Sequence, residues 1–141
     1  MEKNSRTILL AEDSEDDAFF FQRSFRKTGS NCTLVHAPNG KIAIDTLSQA
    51  PNQAALPLLM FLDLKMPVLN GFEVLEWLQS AKLNGKVKVI VLSGSNDQSD
   101  QKRAFGLGAA DYLVKPITPE TLKAKIAQEI QHHDGRTEEQ T

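Results

Sequence analysis

The chain has 141 residues, 40% of them apolar and 24% charged, which fits one soluble globular domain with a core of its own. With 16 Lys and Arg against 18 Asp and Glu, the net charge is −2, and no general electrostatic attraction to DNA, RNA or an anionic membrane is expected. The single cysteine, Cys32, excludes an internal disulfide and argues against a structural zinc site.

Residues 1–7 lead into a short apolar run, Ile8 to Ala11, that stops at acids. A signal peptide needs roughly 7–15 apolar residues and a small-residue cleavage site. The longest apolar stretch, Ala54 to Leu62, contains Pro57 and falls far short of the roughly 20 residues of a membrane span. A cytoplasmic protein is therefore expected.

Ile8 to Ala11 is short and continuous, as a buried parallel strand is. Ser14 then opens a helix, with Glu15, Asp16 and Asp17 in the first turn, where the helix dipole favours negative charge. Ala18, Phe21 and Phe25 share its inward face, and Gly29 ends it. A second strand spans Thr33 to Ala37, and a helix from about Asn39 to Ser48 turns Ala43, Ile44 and Leu47 inward. After the polar loop Gln49 to Ala54 comes a third strand, Leu58 to Asp63, then a loop marked by Pro67 and Gly71 and a helix lined by Val74, Leu75 and Leu78. The fourth strand, Val87 to Leu92, ends at Ser93-Gly94-Ser95 and precedes a helix of weak apolar face, about Gln98 to Leu107. Tyr112 to Val114 is a fifth short strand. Thr118-Pro119 opens the last helix, with Leu122, Ile126 and Ile130 inward, and the polar segment from His133 to Thr141 is expected to fray. Five strand–helix repeats read as an α/β fold, a parallel sheet covered on both faces. Functional residues belong at the carboxyl ends of its strands.

Those ends carry Glu12-Asp13, Asp63, Ser93 and Lys115-Pro116. Three converging carboxylates repel one another, so either some are protonated or a cation lies among them. Oxygen ligands without His or Cys suit Mg²⁺. Lys115 is either a counter-ion to the acids or a partner for an arriving anion. Pro116 suggests a tight turn, and an X-Pro bond is where a cis peptide could fix the lysine's backbone. Ser93 and Gly94 offer a hydroxyl and an uncluttered backbone N–H. Together these groups match the needs of phosphoryl transfer, in which a protein mainly positions the group and neutralises its oxygens.

The runs Ile8 to Asp13, Asp63-Leu64-Lys65-Met66-Pro67 with Asn70 to Leu75, Val91 to Gly94, and Gly108 to Pro116 resemble the receiver domain of two-component response regulators. The resemblance covers about residues 6–131 and leaves a polar tail, 132–141. It implies a flavodoxin-like, doubly wound five-stranded sheet with five helices, in the strand order 2-1-3-4-5 that a chemotaxis member of the family displays. It implies Asp63 as phosphoacceptor and Mg²⁺ held by Asp13, Asp63 and the carbonyl of Lys65, with Glu12 acting through water. Ser93, Gly94 and Lys115 would receive the phosphoryl group, and Ser93 and Tyr112 would form the switch. The phosphodonor would be a histidine kinase or a histidine phosphotransfer protein, and output a change in the face built by helix four, strand five and helix five.

Two features stand apart from the general pattern. The segment Gln49 to Pro57 is longer than in the shortest family members, as in single-domain regulators that work with phytochrome-type kinases. Phe19-Phe20-Phe21 is unusually aromatic: Phe21 belongs in the core, and Phe19 or Phe20 is a candidate kinase contact. Trp77 and Cys32 read as packing residues, and His132 and His133 as surface residues. Too few residues follow Ile130 for an effector domain, so a stand-alone regulator, monomeric or a weak homodimer, with a downstream protein target is expected. A Mg²⁺-dependent aspartyl-phosphate phosphatase of the haloacid-dehalogenase type would want an Asp at position 65, where Lys stands. A flavin binder would want a phosphate cradle where Glu12 to Asp17 would repel one.

Overall fold

A computed structural model describes the backbone of residues 6–140 and the side chains to His133. The elements follow in the expected alternation. They are β1 (Thr7–Ala11), α1 (Glu15–Thr28), β2 (Thr33–Ala37), α2 (Gly40–Ser48), β3 (Leu59–Asp63), α3 (Gly71–Ser80), β4 (Lys88–Ser93), α4 (Gln98–Gly106), β5 (Asp111–Val114) and α5 (Pro119–Gln140). The five strands form one sheet in the order β2-β1-β3-β4-β5, and every pairing is parallel. This is the flavodoxin-like order, 2-1-3-4-5, that the resemblance implies.

Strand alternation sends side chains to two cores. Ile8, Leu10, Leu59, Phe61, Ile90 and Leu92 pack under α1 and α5, with Ala18, Phe21, Leu122 and Ile126 opposite them. Leu9, Ala11, Met60, Leu62, Val89 and Val91 pack under α2, α3 and α4. Phe21 meets Phe61 with ring centroids 5.0 Å apart, which places it in the core as expected. Phe25 is only half-buried at the margin of that cluster, as is Cys32, and Trp77 packs at the edge of the other.

Local chemistry fixes the ends. The Ser14 hydroxyl accepts from Asp17 N–H at the start of α1, and Gly29 closes that helix in the left-handed region, φ +71°. Asn70 and Glu73 form a reciprocal capping box on α3. Only Ala104 of α4 is buried, in keeping with its weak apolar face. The loop after α2 holds a short 3-10 turn, Gln53–Ala55, that the polar composition does not foretell. The α5 backbone runs on to Gln140, through the segment from His133 that the sequence leads one to expect to fray. The side chains of the predicted polar tail beyond His133 lie outside the described residues.

Candidate functional site

The strand ends bring the acids together. Glu12, Asp13 and Asp63 each offer a carboxylate oxygen, and these oxygens lie within 4.8 Å of one another. Glu12 is 2% exposed and Asp63 6%, whereas Asp13 faces solvent. The alternation that built the two cores also sorts the site. Glu12, Asp63 and Lys115 continue the rows of Leu10, Phe61 and Leu113, on the α1 and α5 side. Ser93 continues the row of Val91, and Tyr112 packs with the core on the α4 side.

Lys115 is already engaged. Its Nζ lies 2.7 Å from Glu12 Oε1, 2.8 Å from Asp17 Oδ2 and 3.5 Å from Asp63 Oδ2. Burial works against the Lys115 ammonium, but the Asp17 and Glu12 carboxylates outweigh it and hold its pKa above the ordinary lysine value. Asp63 also moves above its ordinary value, for the opposite reason. Burial, then the neighbouring Glu12 charge, push its carboxyl up to about 7, although Lys115 and the Lys65 N–H pull downward. The Lys65 N–H donates to Asp63 Oδ1 at 3.3 Å. A crowded all-oxygen set whose central acid resists ionisation fits a hard divalent cation such as Mg²⁺.

On the other side, the Ser93 Oγ accepts from Ser95 N–H at 3.1 Å, and the Tyr112 hydroxyl donates to the Ser95 carbonyl at 2.9 Å. A Cβ on Gly94 would meet nothing within 4 Å. The Lys115–Pro116 peptide is cis.

Several contributors escape a reading of the sequence. The helix dipole accounts for Asp17 locally, yet this residue grips Lys115; its place on the first turn after the acidic end of β1 is the available signal. His36 places Nε2 2.8 Å from the Glu12 carbonyl. A carbonyl only accepts, so Nε2 carries the proton. Alternate residues of β2 donate to β1, beginning with Thr33 N–H to the Arg6 carbonyl. The donor that would reach the Glu12 carbonyl in that series is Asn39, which begins α2 instead. The His36 ring supplies the donor and so fixes the peptide that leads into Asp13. Gly71 lets α3 start against the end of β3: a Cβ there would lie 2.5 Å from the Asp63 carbonyl oxygen. Val68 holds φ +69° in the loop between them, a strained conformation for a β-branched residue.

Phe19 and Phe20 are about half exposed on α1, ring centroids 6.0 Å apart. They belong to neither core cluster and form an exposed aromatic pair on α1. No helix among the described residues is long and apolar enough to cross a membrane.

Comparison with known proteins agrees with this geometry. The family model described as "Response regulator receiver domain" matches residues 8–127. "Probable methanogenesis regulatory protein FilR2" of Methanothrix harundinacea is 32% identical over 120 residues, which are 84% of this chain and 77% of that protein. "Response regulator GtcR" of Aneurinibacillus migulanus is 30% identical over 131 residues, 89% of this chain but 48% of its own length. A Vibrio cholerae "Probable cyclic di-GMP phosphodiesterase" is 30% identical over 126 residues, and the chain spans 27% of it. Among solved structures, the bacteriophytochrome response regulator AtBRR superposes with a TM-score of 0.75 at 27% identity, covering 89% of this chain and 92% of that one. The bacteriophytochrome response regulator RtBRR does so with a TM-score of 0.75 at 29% identity, covering 87% and 76%. With its sheet order, its strand-end acids and a family match over most of its length, the chain belongs to the response regulator receiver domain family.

Proposed function

We propose that this receiver, taken as residues 6–131, accepts a phosphoryl group on Asp63 in a two-component relay. The observation that carries the reading is the meeting of Glu12, Asp13 and Asp63 with Lys115 at one sheet edge. A lone pair of the Asp63 carboxylate attacks the phosphorus of a donor phosphohistidine. The P–N bond breaks, and its electron pair leaves on the imidazole nitrogen of the histidine kinase or phosphotransfer protein. Asp13, Asp63 and the Lys65 carbonyl would hold Mg²⁺, with Glu12 reaching it through water, and the ion would supply positive charge against the phosphoryl oxygens. Lys115 and the Ser93 hydroxyl receive those oxygens, and Gly94 leaves space beside them. Ser93 and Tyr112 pass the event to the face of α4, β5 and α5.

The likeness to two bacteriophytochrome response regulators supports a phytochrome-type kinase as donor, and the exposed pair Phe19 and Phe20 supports docking on α1. A downstream protein receives the signal in the cytoplasm, from a monomer or weak homodimer that does not bind DNA. The role is that of a phosphoacceptor, not of an enzyme turning over a separate substrate.

The test is acetyl phosphate with Mg²⁺ and intact mass. The wild-type chain should gain one phosphoryl group as acetate leaves, the Asp63→Asn variant should gain none, and EDTA should suppress the gain. A full gain in Asp63→Asn would remove the assignment.

A further inference from the structure

An ammonium has three protons to give. In this structure the Lys115 ammonium donates to Asp17 Oδ2 at 2.8 Å, and its Nζ lies 2.7 Å from Glu12 Oε1 in an ion pair. Asp63, at 3.5 Å, is beyond good hydrogen-bond range and receives only the charge. Asp17 stands on the first turn of α1 and Lys115 follows β5, so their pairing bridges two elements across the mouth of the site.

The two close partners are not equivalent. Glu12 is 2% exposed, and its carboxylate could not be left unpaired without a large desolvation penalty. It also accepts from Ser14 N–H at 3.1 Å, which holds it in place. Asp17 is 42% exposed at its side chain and can return to water at little cost. Of the carboxylates on Lys115, Asp17 is therefore the one that can let go.

We infer that Asp17 is a positioning residue that holds Lys115 away from Asp63 until a phosphoryl group arrives, competing with that group for the ammonium. The inference rests on Asp63 being the phosphoacceptor. A phosphoryl group on Asp63 adds close to two negative charges and strong acceptor oxygens. These draw Lys115 from Asp17, while Glu12 stays paired. Asp17 thus weakens the affinity of the site for a phosphoryl group and sets how readily the marked state forms.

The experiment is titration with beryllofluoride, a phosphoryl mimic that binds a carboxylate, in Mg²⁺ at low salt, followed by Trp77 fluorescence or backbone amide shifts. Asp17→Asn should bind about two- to fivefold more tightly than wild type, the range expected for losing an exposed ion pair. Asp17→Glu, which restores the charge, should return toward wild type. Asp16→Asn removes the same charge from the same helix turn without touching Lys115, and should change nothing. The gap between Asp17→Asn and wild type should narrow as salt screens the exposed pair. Equal or weaker binding by Asp17→Asn, an equal gain in Asp16→Asn, or a gap indifferent to salt would each overturn the role given to Asp17. Wild type that fails to bind beryllofluoride at all would overturn the phosphoacceptor reading and this inference with it.

Discussion

Replacing Asp63 by asparagine should stabilise the protein at alkaline pH and leave it nearly unchanged in mild acid. The carboxyl is pushed from 3.8 to about 7 by burial and by the Glu12 charge. A shift of that size corresponds to at most about 4 kcal/mol of strain in the ionised native state. Asp13 beside it faces solvent, so screening reduces the working figure to about 1–2 kcal/mol. Because the folded chain takes up this proton more readily than the unfolded chain, wild type gains stability as pH falls through about 7, and the gain is complete near 3.8. The substituted side chain keeps the shape and an acceptor for the Lys65 N–H but carries no charge. At pH 8 in EDTA the urea midpoint of Asp63→Asn should lie higher by an amount equal to about 1–2 kcal/mol with the slope unchanged, and at pH 4.5 the two curves should nearly coincide. Half-buried Trp77 reports the unfolding. If the cluster holds Mg²⁺ as proposed, the ion at pH 8 should shrink the difference by stabilising wild type more. A variant no more stable than wild type at pH 8, or equally favoured at both pH values, would refute the account of crowded charge.

Two further substitutions test the frame around the site. Gly71→Ala drives a Cβ to 2.5 Å from the Asp63 carbonyl oxygen and 2.8 Å from Leu64 Cα; backbone cannot step aside, so a loss of about 1–3 kcal/mol and weaker Mg²⁺ binding are expected, and a wild-type urea midpoint would contradict the packing. Asp111→Asn removes a carboxyl that burial would push up but that Lys125 and the Tyr112 N–H hold below its ordinary value. That stabilisation is present above 3.8 and fades as pH falls below it, so the variant should lose about 0.5–1 kcal/mol in a thermal melt at pH 7 and less at pH 3.

The fold was legible because its signals are local. Buried parallel strands are continuous apolar runs, and Leu59–Asp63 is buried at every position. Ser14 and Gly29 announce the ends of α1 through the backbone groups they satisfy. The strand-end acids were legible for a related reason: an α/β sheet gives polar residues at those positions no folding role to explain them. What stayed hidden depends on distance across the chain. Nothing near Gly40 in sequence says that a Cβ there would lie 2.4 Å from the Leu69 carbonyl oxygen. His36 looks like one more strand residue; that its ring meets the Glu12 carbonyl depends on where Asn39 leaves the ladder to begin α2. Asp17 has a sufficient local explanation in the helix dipole, and a sufficient local explanation conceals a long-range partner.

The division of the site by strand alternation bears on how a charge at Asp63 could be felt at α4. Glu12, Asp63 and Lys115 lie toward α1 and α5, whereas Ser93 and Tyr112 lie toward α4. The Lys115 N–H donates to the Ser93 carbonyl at 2.8 Å, a tie between backbones that a side-chain exchange would leave in place. Ser95 is the link within the second group: its N–H donates to the Ser93 hydroxyl and its carbonyl accepts from the Tyr112 hydroxyl. In the proposed switch, a Ser93 hydroxyl that turns to a phosphoryl oxygen gives up the Ser95 N–H, and the loop that anchors Tyr112 loses its tie to β4 while the Ser95 hydroxyl still accepts from Asp97 N–H. That loop leads into Asp97, which caps α4, a helix that buries only Ala104. A helix so lightly packed moves at small cost. The weak apolar face of α4, unremarkable as a sequence pattern, is thus what would let a hydrogen-bond exchange at Ser93 reach the surface.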